Sequence, residues 1–504
     1  MAETVKDTGA VARQTRKFRE QAYFDQQKDG AYFLLPFKFH RLDAQRELLV
    51  NEVGDFLIVP DGTTARIVRR KLKKQDDSEL YGDLVANFFI SETGIPRLID
   101  VYATRYRTKK SFLEGFTSLH IFVISLRCEH TCHYCQVSRV TSDKEAFDMS
   151  IAHIDRGIEW MFRSPNAFLT MEFQGGEALL AFDRIKYAVG KVATLAPAYG
   201  KHVSFVICTN LALITDDILQ FCQKYSILIS TSIDGPDFLH NANRHRPGSN
   251  SHELAVNGIR QVRKVLGQDR VSALMTTTTR SLCHPTEIVE EYFNLGFRNI
   301  FLRPISPYGF ATRNEKKNGY DVQTFLAFYK IALDRILAYN QSGIFFSEDY
   351  ATILLRKMLT PFPVGYVDLN SPTGAITGVL VFNYNGAVYA TDESRMLAEM
   401  NDFTFQLGHL DKNSYDEVVY GDKARDIVEA GVNESLPGCA DCAFQPYCGG
   451  DPVHHYATQG DMIGYRPTST FCERNMEIIR YLFELMDSDP QVKLIFESWI
   501  KPRR

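Results

Sequence analysis

From Leu119 onward the chain alternates short apolar runs with longer stretches in which apolar residues recur every three or four positions. Leu119–Leu126, Phe168–Phe173, Val203–Thr209, Leu228–Ile233, Val271–Thr277 and Asn299–Pro304 read as strands, and Asp183–Leu195, Thr215–Tyr225, Glu253–Leu266 and Thr286–Leu295 between them read as helices. Six such β-α units predict an α/β fold over residues 113–315: a parallel sheet with helices outside, as an open doubly wound sheet or a partial barrel. Chemistry in such folds collects at the C-terminal ends of the strands.

Ahead of this region Tyr32–Phe39, Glu47–Asn51 and Phe56–Val59 read as three strands, with Gly54 at a turn. Thr63-Thr64 caps a helix through Ile67-Val68 and Leu72, and Leu80, Leu84, Val85, Phe88 and Phe89 mark a second helical stripe. Together they predict a small winged-helix-like α+β module over 26–112, behind a mobile stretch at 1–25 that has no periodicity. Downstream, Phe325, Phe328, Ala332, Arg335 and Ile336 share a helix in a linker at 316–370, placed to close the barrel side. A cysteine-rich segment at 371–480 begins with the β-runs Val379–Tyr384 and Gly386–Tyr389, turned at Asn385-Gly386, and a helical tail ends the chain at 481–504.

A chain of 504 residues holds two or three domains and a sizeable core. Apolar residues make up 45% and charged residues 23%, a globular composition. With 57 basic and 61 acidic residues the net charge is −4, so no global field points to nucleic acid or to an anionic membrane. Met1–Arg19 lacks an apolar signal core, and no apolar run approaches the roughly 18–20 residues of a membrane span, so the expected location is cytoplasmic. There, ten cysteines are thiols or metal ligands rather than disulfides. Cys208, Cys222 and Cys283 stand alone and are expected as buried small hydrophobes. The other seven fall in two groups.

The first group, Cys128-x3-Cys132-x2-Cys135, directly follows the first barrel strand, where the strand-end rule places a site. Three thiolates can hold three irons of a cubane and leave the fourth open to a ligand. A zinc knuckle completed by His130 or His133 is the alternative. Other strand ends carry Gln174-Gly175-Gly176-Glu177, then Thr209-Asn210, then Ser232, Asp234 and Gly235, followed by His240, Arg244, His245 and Arg246. The two glycines let backbone approach a ligand, Glu177 can accept from an ammonium, and Asn210 suits a ribose or an amino-acid head. Asp234 is the one candidate for a catalytic carboxylate, although it also suits the Asp-Gly-Pro turn. The second group, Cys439-x2-Cys442-x5-Cys448-x23-Cys472, makes a closed four-thiol site for zinc or for a second iron–sulfur cluster.

The three cysteines with Tyr134 before the last, Gly175-Gly176-Glu177, and Ser232-Ile233-Asp234-Gly235-Pro236 followed by His240 and Arg244 closely resemble the radical S-adenosylmethionine (SAM) superfamily. The resemblance implies a partial (βα)6 barrel with a 4Fe-4S cluster on Cys128, Cys132 and Cys135, and SAM chelating its open iron. Glu177, after Gly175-Gly176, would contact the SAM ammonium, Tyr134 the adenine region, and Ser232 with Arg244 the ribose or carboxylate side. It further implies reductive cleavage of SAM to a 5′-deoxyadenosyl radical that abstracts hydrogen from an unactivated C–H bond. Asn241 departs from the His-Asp-x2-Arg run of related members, which leaves the role of that position open.

The run from Cys439 to Cys472 resembles the SPASM/twitch extension of peptide maturases. Thr391 and Pro452 stand where full members carry cysteines, so the resemblance implies one auxiliary 4Fe-4S cluster, on Cys439, Cys442, Cys448 and Cys472, with His454 and His455 structural. The stretch Leu48–Leu57 resembles leader-recognition elements that add a peptide as a sheet-edge strand, a structural cap being the alternative. The basic run Arg69–Lys74 reads as a solvated helix face. Tyr32–Phe37, Cys128–Arg139, Phe301–Phe310 and Cys448–Pro452 most specifically resemble the radical SAM maturase of the His-Xaa-Ser system. The expected substrate is a ribosomally made precursor peptide, cross-linked or epimerised, and the expected reductant is a flavodoxin- or ferredoxin-like electron donor. A maturase of a folded protein, of the sulfatase-maturing type, is one rival, against which Thr391 and Pro452 weigh. A non-catalytic, zinc-stabilised peptide-binding scaffold is the other.

Overall fold

The computed structural model describes residues 32–94, 96–135, 143–309 and 319–501, so the stretch 1–25 and the motif positions Arg139 and Phe310 lie outside the described residues. In chain order the strands are β1 (Phe33–Leu34), β2 (Phe37–Arg41), β3 (Arg46–Asn51), β4 (Phe56–Pro60), β5 (Ile90–Ser91), β6 (Leu119–Ser125), β7 (Phe168–Gly175) and β8 (His202–Cys208). They continue with β9 (Leu228–Ser232), β10 (Val271–Leu274), β11 (Asn299–Ile300), β12 (Ser347–Glu348), β13 (Val379–Phe382), β14 (Ala387–Tyr389) and β15 (Gln406–His409).

The main sheet runs β10-β9-β8-β7-β6-β13-β14-β15. It is parallel from β10 through β13 and antiparallel beyond. β6 is buried along almost its whole length, as a strand covered on both faces must be. Phe122 of β6 meets Phe173 of β7 and Phe382 of β13 at ring-centroid distances of 6.4 and 5.0 Å, and Trp160 of the helix Ile151–Phe162 closes on Phe382 at 6.2 Å. Burying each such ring contributes about 1.5–3 kcal/mol. The helices between strands form as Phe182–Leu195, Asp216–Lys224, Ser251–Leu266 and Pro285–Asn294, close to the bounds expected from periodicity.

The sixth strand differs from expectation. β11 stops after two residues and pairs with β12. Beyond it the Leu302 N–H donates to the Glu348 carboxylate at 3.1 Å instead of to a strand, and Pro304 has no N–H to offer a ladder. The opposite flank of β6 is taken by β13, a pairing that joins the cysteine-rich segment to the barrel sheet.

In the N-terminal region β2, β3 and β4 form an antiparallel sheet beside the helices Thr63–Val68, Ser78–Ala86 and Pro96–Lys110. Two expectations are corrected here. Tyr32–Phe39 is not one strand: Leu35-Pro36 separates β2 from β1, which pairs with β5 instead. The second helical stripe ends at Ala86, because Phe88 adopts a left-handed backbone at φ 59° and Ile90 enters β5. The region packs on the cysteine-rich segment. Tyr447 Oη donates to Gly54 O at 3.0 Å, Lys38 Nζ donates to Gln445 at 3.1 Å, and the rings of Phe56 and Phe483 lie 4.8 Å apart. The helices Val322–Gln341, Asp349–Leu359, Thr470–Ser488 and Pro490–Ile500 complete the C-terminal half. Among the described residues no helix is long and apolar enough to cross a membrane.

Candidate active site

β6 delivers the loop bearing Cys128, Cys132 and Cys135 to the C-terminal edge of the sheet. The loop is clamped at its base. Arg127 Nε and Nη2 each donate to the Asp148 carboxylate at 2.7 Å, and Ser125 Oγ donates to the same carboxylate at 2.7 Å. Arg127 Nη2 also reaches Leu180 O at 2.8 Å. From β7, Gly176 N donates to Ser125 O at 2.8 Å and Glu177 N to Arg127 O at 2.7 Å. A methyl group on Gly175 would lie 2.0 Å from Ser125 O, and one on Gly176 would lie 2.4 Å from Arg127 O. The immediate neighbour these glycines admit is therefore the backbone of the cysteine loop itself. On its far side the loop is tied to the turn after β9, where Thr131 N donates to His245 O at 2.6 Å and His133 N to Asn243 O at 3.3 Å.

Glu177 is 1% exposed, and its carboxylate accepts from Thr209 Oγ1 at 2.6 Å, Asn210 N at 2.8 Å and Leu179 N at 2.9 Å. Burial and the Glu129 charge nevertheless push it up to about 7. Asn210 Nδ2 donates to Glu129 Oε1 at 2.7 Å. The second oxygen, Glu129 Oε2, is buried with no hydrogen-bond partner among the described residues. Burial alone would raise this carboxyl, but hydrogen bonds from His130 and Asn210 hold it below the usual range. An ionised carboxylate with one unused oxygen thus stands next to Cys128. Cys128, Glu129 and His130 each bring a ligand atom within 4.8 Å of the others. Both His130 nitrogens are nonetheless engaged, Nε2 with Ser251 Oγ at 2.9 Å and Nδ1 with Glu129 and Asn210 at 3.1 and 2.9 Å.

Tyr134, Asp234 and Arg244 come together in one buried network. Tyr134 Oη and Arg244 Nε donate to the same Asp234 oxygen at 2.6 and 3.1 Å, and the Arg244 guanidinium lies 5.4 Å from the Tyr134 ring centre. Thr276 N donates to the other Asp234 oxygen at 3.3 Å. Asp234, fully buried and supplied with three donors, acts as an anchor for its neighbours. Ser232 ends β9 nearby, half-buried.

The second cysteine group lies where the N-terminal sheet meets the C-terminal helices. Cys439 Sγ accepts from Arg466 Nε at 3.0 Å, and Cys472 sits in the first turn of Thr470–Ser488 with its N–H on Ser469 Oγ at 3.2 Å. Burial, together with the charge of the other three cysteines, pushes Cys448 up to about 12; the Cys472 thiol reaches about 11 by burial and its neighbours Cys442 and Cys439. Among the described residues no three of these four thiols lie mutually within 4.8 Å. His454 and His455 turn their Nε2 atoms to Thr470 and Ser469 hydroxyls at 3.2 and 3.0 Å. Of the isolated cysteines, Cys222 is buried as expected and Cys208 is half-buried, 3.5 Å from Glu172 Oε1. Cys283 is exposed, a correction explained by its place in the short turn Ser281–Cys283 before Pro285.

Sequence reasoning missed three residues of this site. Glu129 lies inside the cysteine motif, but its role depends on Asn210. Asp148 and Arg395 have no local signature. Arg395 is fully buried, is paired with Asp392 Oδ1 at 2.8 Å, keeps Nη1 without a partner among the described residues, and lies close enough to Cys135 for that thiol to act on it.

A model of the radical SAM superfamily matches residues 122–294, from inside β6 to the last helix before β11. An uncharacterized protein of Methanothermobacter thermautotrophicus is 31% identical over 196 residues, covering 38% of this chain and 69% of that one. The chain belongs to the radical SAM superfamily. The radical SAM domain implies a 4Fe-4S cluster and SAM. The radical SAM cyclopropyl synthase TigE of Paramaledivibacter caminithermalis is 27% identical over 131 residues, 23% of this chain and 27% of the length of TigE. Among solved structures, native anSMEcpe with bound AdoMet has a TM-score of 0.63 at 18% identity, over 76% of this chain and 99% of that one. Streptococcus suis SuiB bound to precursor peptide SuiA has a TM-score of 0.50 at 14% identity, over 88% and 100%. At these identities what they share with this chain is the radical SAM fold.

Proposed function

We propose that this radical SAM enzyme modifies a ribosomally made precursor peptide. The observation that carries the reading is the assembly of three elements in one packed unit: the three-cysteine loop at the barrel edge, a four-thiol site, and a small antiparallel sheet whose outer strands β2 and β4 each have one unpaired edge among the described residues. An unpaired edge can accept a leader segment as an added strand. SuiB, which shares the fold, is a protein solved with a precursor peptide bound.

In this reading Cys128, Cys132 and Cys135 hold the SAM-binding cluster. The donor set fits, because three half-buried thiols stand on a clamped loop beside an ionised carboxylate with a free buried oxygen. With cluster and SAM bound, one electron delivered to the sulfonium yields methionine and a 5′-deoxyadenosyl radical that can take hydrogen from a substrate C–H bond. The chain's own residues orient and enclose. Glu129 Oε2, which has no partner among the described residues, would receive the SAM ammonium, with Glu177 behind it. Asn210 links the two carboxylates, through its side-chain amide to Glu129 and its backbone N–H to Glu177. Tyr134 would border the adenine, with Ser232 and Arg244 on the ribose or carboxylate side. Asp234 is a positioning residue that fixes Tyr134 and Arg244.

Cys439, Cys442, Cys448 and Cys472 hold one auxiliary 4Fe-4S cluster. Thr391 caps the helix Asp392–Ala398 in a capping box with Ser394, and Pro452 is the first residue of Pro452–Gln459. Both positions start helices and offer no thiol to a further cluster. The deciding experiment is anaerobic reconstitution with a flavodoxin or dithionite as reductant. About eight irons per chain and 5′-deoxyadenosine formation are expected. A colourless protein holding one or two zincs would overturn the enzyme reading, and an unaltered, unepimerised co-expressed precursor alongside active SAM cleavage would overturn that peptide as substrate.

A further inference from the structure

After β11 the residues Phe301–Tyr308 wall one side of a cavity whose other side comes from the C-terminal half. Three carboxylates line it, Asp368, Glu393 and Asp451, together with two guanidiniums, Arg303 and Arg474. His454 also faces it, and burial keeps that imidazole neutral by lowering it to about 3. With all three carboxylates ionised, the cavity's described lining carries one negative charge more than positive. The groups register the imbalance. Burial and the Asp368 charge push Glu393 up to about 8 and Asp451 up to about 7, and burial raises Asp368 despite Arg303. Glu393 lies 3.7 Å from Arg303 Nη2, beyond hydrogen-bond reach.

A second observation is independent of charge. Tyr308 lines the cavity, is 1% exposed, and has a buried hydroxyl with no hydrogen-bond partner among the described residues. All three carboxylates are near enough to hold that phenol above its ordinary range, after burial itself. A lone buried hydroxyl is unfavourable unless something entering the cavity pairs with it. Aromatic faces complete the wall, with the rings of Phe301 and Tyr350 stacked at 5.9 Å and Tyr366 edge-on to Tyr350 at 6.1 Å. Carboxylates and aromatic faces together are the surroundings a desolvated cation prefers.

The cavity also adjoins the reaction site. Glu393 is on the helix Asp392–Ala398. From the same helix Asp392 acts on Glu172 and Cys208 of the barrel strands, and Arg395 lies by Cys135. A wider opening past Pro304–Pro307, bordered by Tyr320 and Thr458, shares Arg474 and His454 with it.

We propose that this cavity is a subsite for one cationic side chain of the peptide substrate, an ammonium or guanidinium whose charge brings the count to three against three. This inference rests on the peptide-modifying reading above and names the substrate class it would take. The test uses the reconstituted full chain with SAM under anaerobic conditions and three probes: Nα-acetyl-lysine N-methylamide, Nα-acetyl-arginine N-methylamide and the neutral Nα-acetyl-norleucine N-methylamide. Titration calorimetry at pH 8.5 should show one of the two cations binding at least tenfold more tightly than norleucine. That margin should shrink at pH 6.5, where Glu393 and Asp451 hold protons, and should fall at least fivefold in Glu393→Gln. Equal affinity for cationic and neutral probes in the wild type overturns the subsite without recourse to any variant. A margin kept in full by both Glu393→Gln and Asp451→Asn, each melting as the wild type does, places the cation elsewhere and also overturns it. Formation of 5′-deoxyadenosine is measured on the same preparation. Its absence overturns the enzyme reading, whereas SAM cleavage without any cation preference overturns the subsite alone.

Discussion

Replacing Asp148 by Asn tests whether the clamp under the cysteine loop is what organises it. The carboxylate accepts three hydrogen bonds at 2.7 Å, two from Arg127 and one from Ser125, and the two charged side chains are only 12% and 2% exposed. Removing one partner of a buried ion pair costs about 3–5 kcal/mol, because the other charge is left uncompensated. Arg127 keeps its bond to Leu180 O and Ser125 can still donate to the amide oxygen, so the lower end, about 3 kcal/mol, is expected. The loss falls on the segment that presents Cys128, Cys132 and Cys135. At about 1.4 kcal/mol per tenfold, cluster affinity there drops by about 100-fold. Competition with an iron chelator under anaerobic conditions reads this directly. Half of the iron should leave at about 100-fold lower chelator activity in Asp148→Asn, while the other half, on the C-terminal cysteines, leaves as in the wild type. Wild-type competition curves for both halves would refute the clamp.

Cys132→Ala should abolish SAM cleavage and the SAM-binding cluster's spectroscopic signal while leaving about four irons on the C-terminal cysteines, counted by iron analysis. Gly176→Ala should also cost the first cluster, since the new methyl would meet Arg127 O at 2.4 Å and Leu126 O at 2.7 Å; undiminished iron content would show that the loop can yield. Glu348 is fully buried, accepts from Tyr329 Oη, Ala351 N and Leu302 N, and burial pushes it up to about 7. Unfolded, it ionises near 4.5, so between those values the folded chain holds an extra proton and loses stability as pH rises, by about 3 kcal/mol in all. Glu348→Gln should flatten the fall of the melting temperature between pH 5 and pH 7.5, and an unchanged slope would remove Glu348 as its source.

The barrel was legible where local pattern and tertiary role coincide. Short runs flanked by amphipathic stretches mark β6 to β10: β6 is buried at nearly every position, as a parallel strand covered on both faces must be, while β7, β8 and β9 alternate fully buried with less buried positions. The pattern failed at Phe301–Pro304, which is as apolar as a strand but spends its backbone N–H on the Glu348 side chain, a partner 46 residues away. It marked Val379–Tyr384 as a β-run but was silent on the partner of β13, since the Val379-to-Leu119 register spans 260 residues and leaves no mark in either segment. The cysteines were legible through spacing, which a cluster dictates. Two of their supports were not, because Asp148 and Arg395 reach the loop through the fold rather than through sequence proximity.

The two departures from the family pattern carry the most weight in linking these levels. In sequence Thr391 and Pro452 are simply positions without a thiol. In the fold each begins a helix, and the capping box of one and the Asp451 cap of the other fix where those helices start. Glu393, two residues after the first, and Asp451, one before the second, therefore face a common cavity with Arg303 and Arg474. A cluster held at these positions would need thiolates and would bring its own charge into that space. Carboxylates held above their ordinary range instead make the space selective for an incoming positive charge. On the proposals above, the positions without a thiol border a place where substrate can be recognised, on the helix that also carries Arg395.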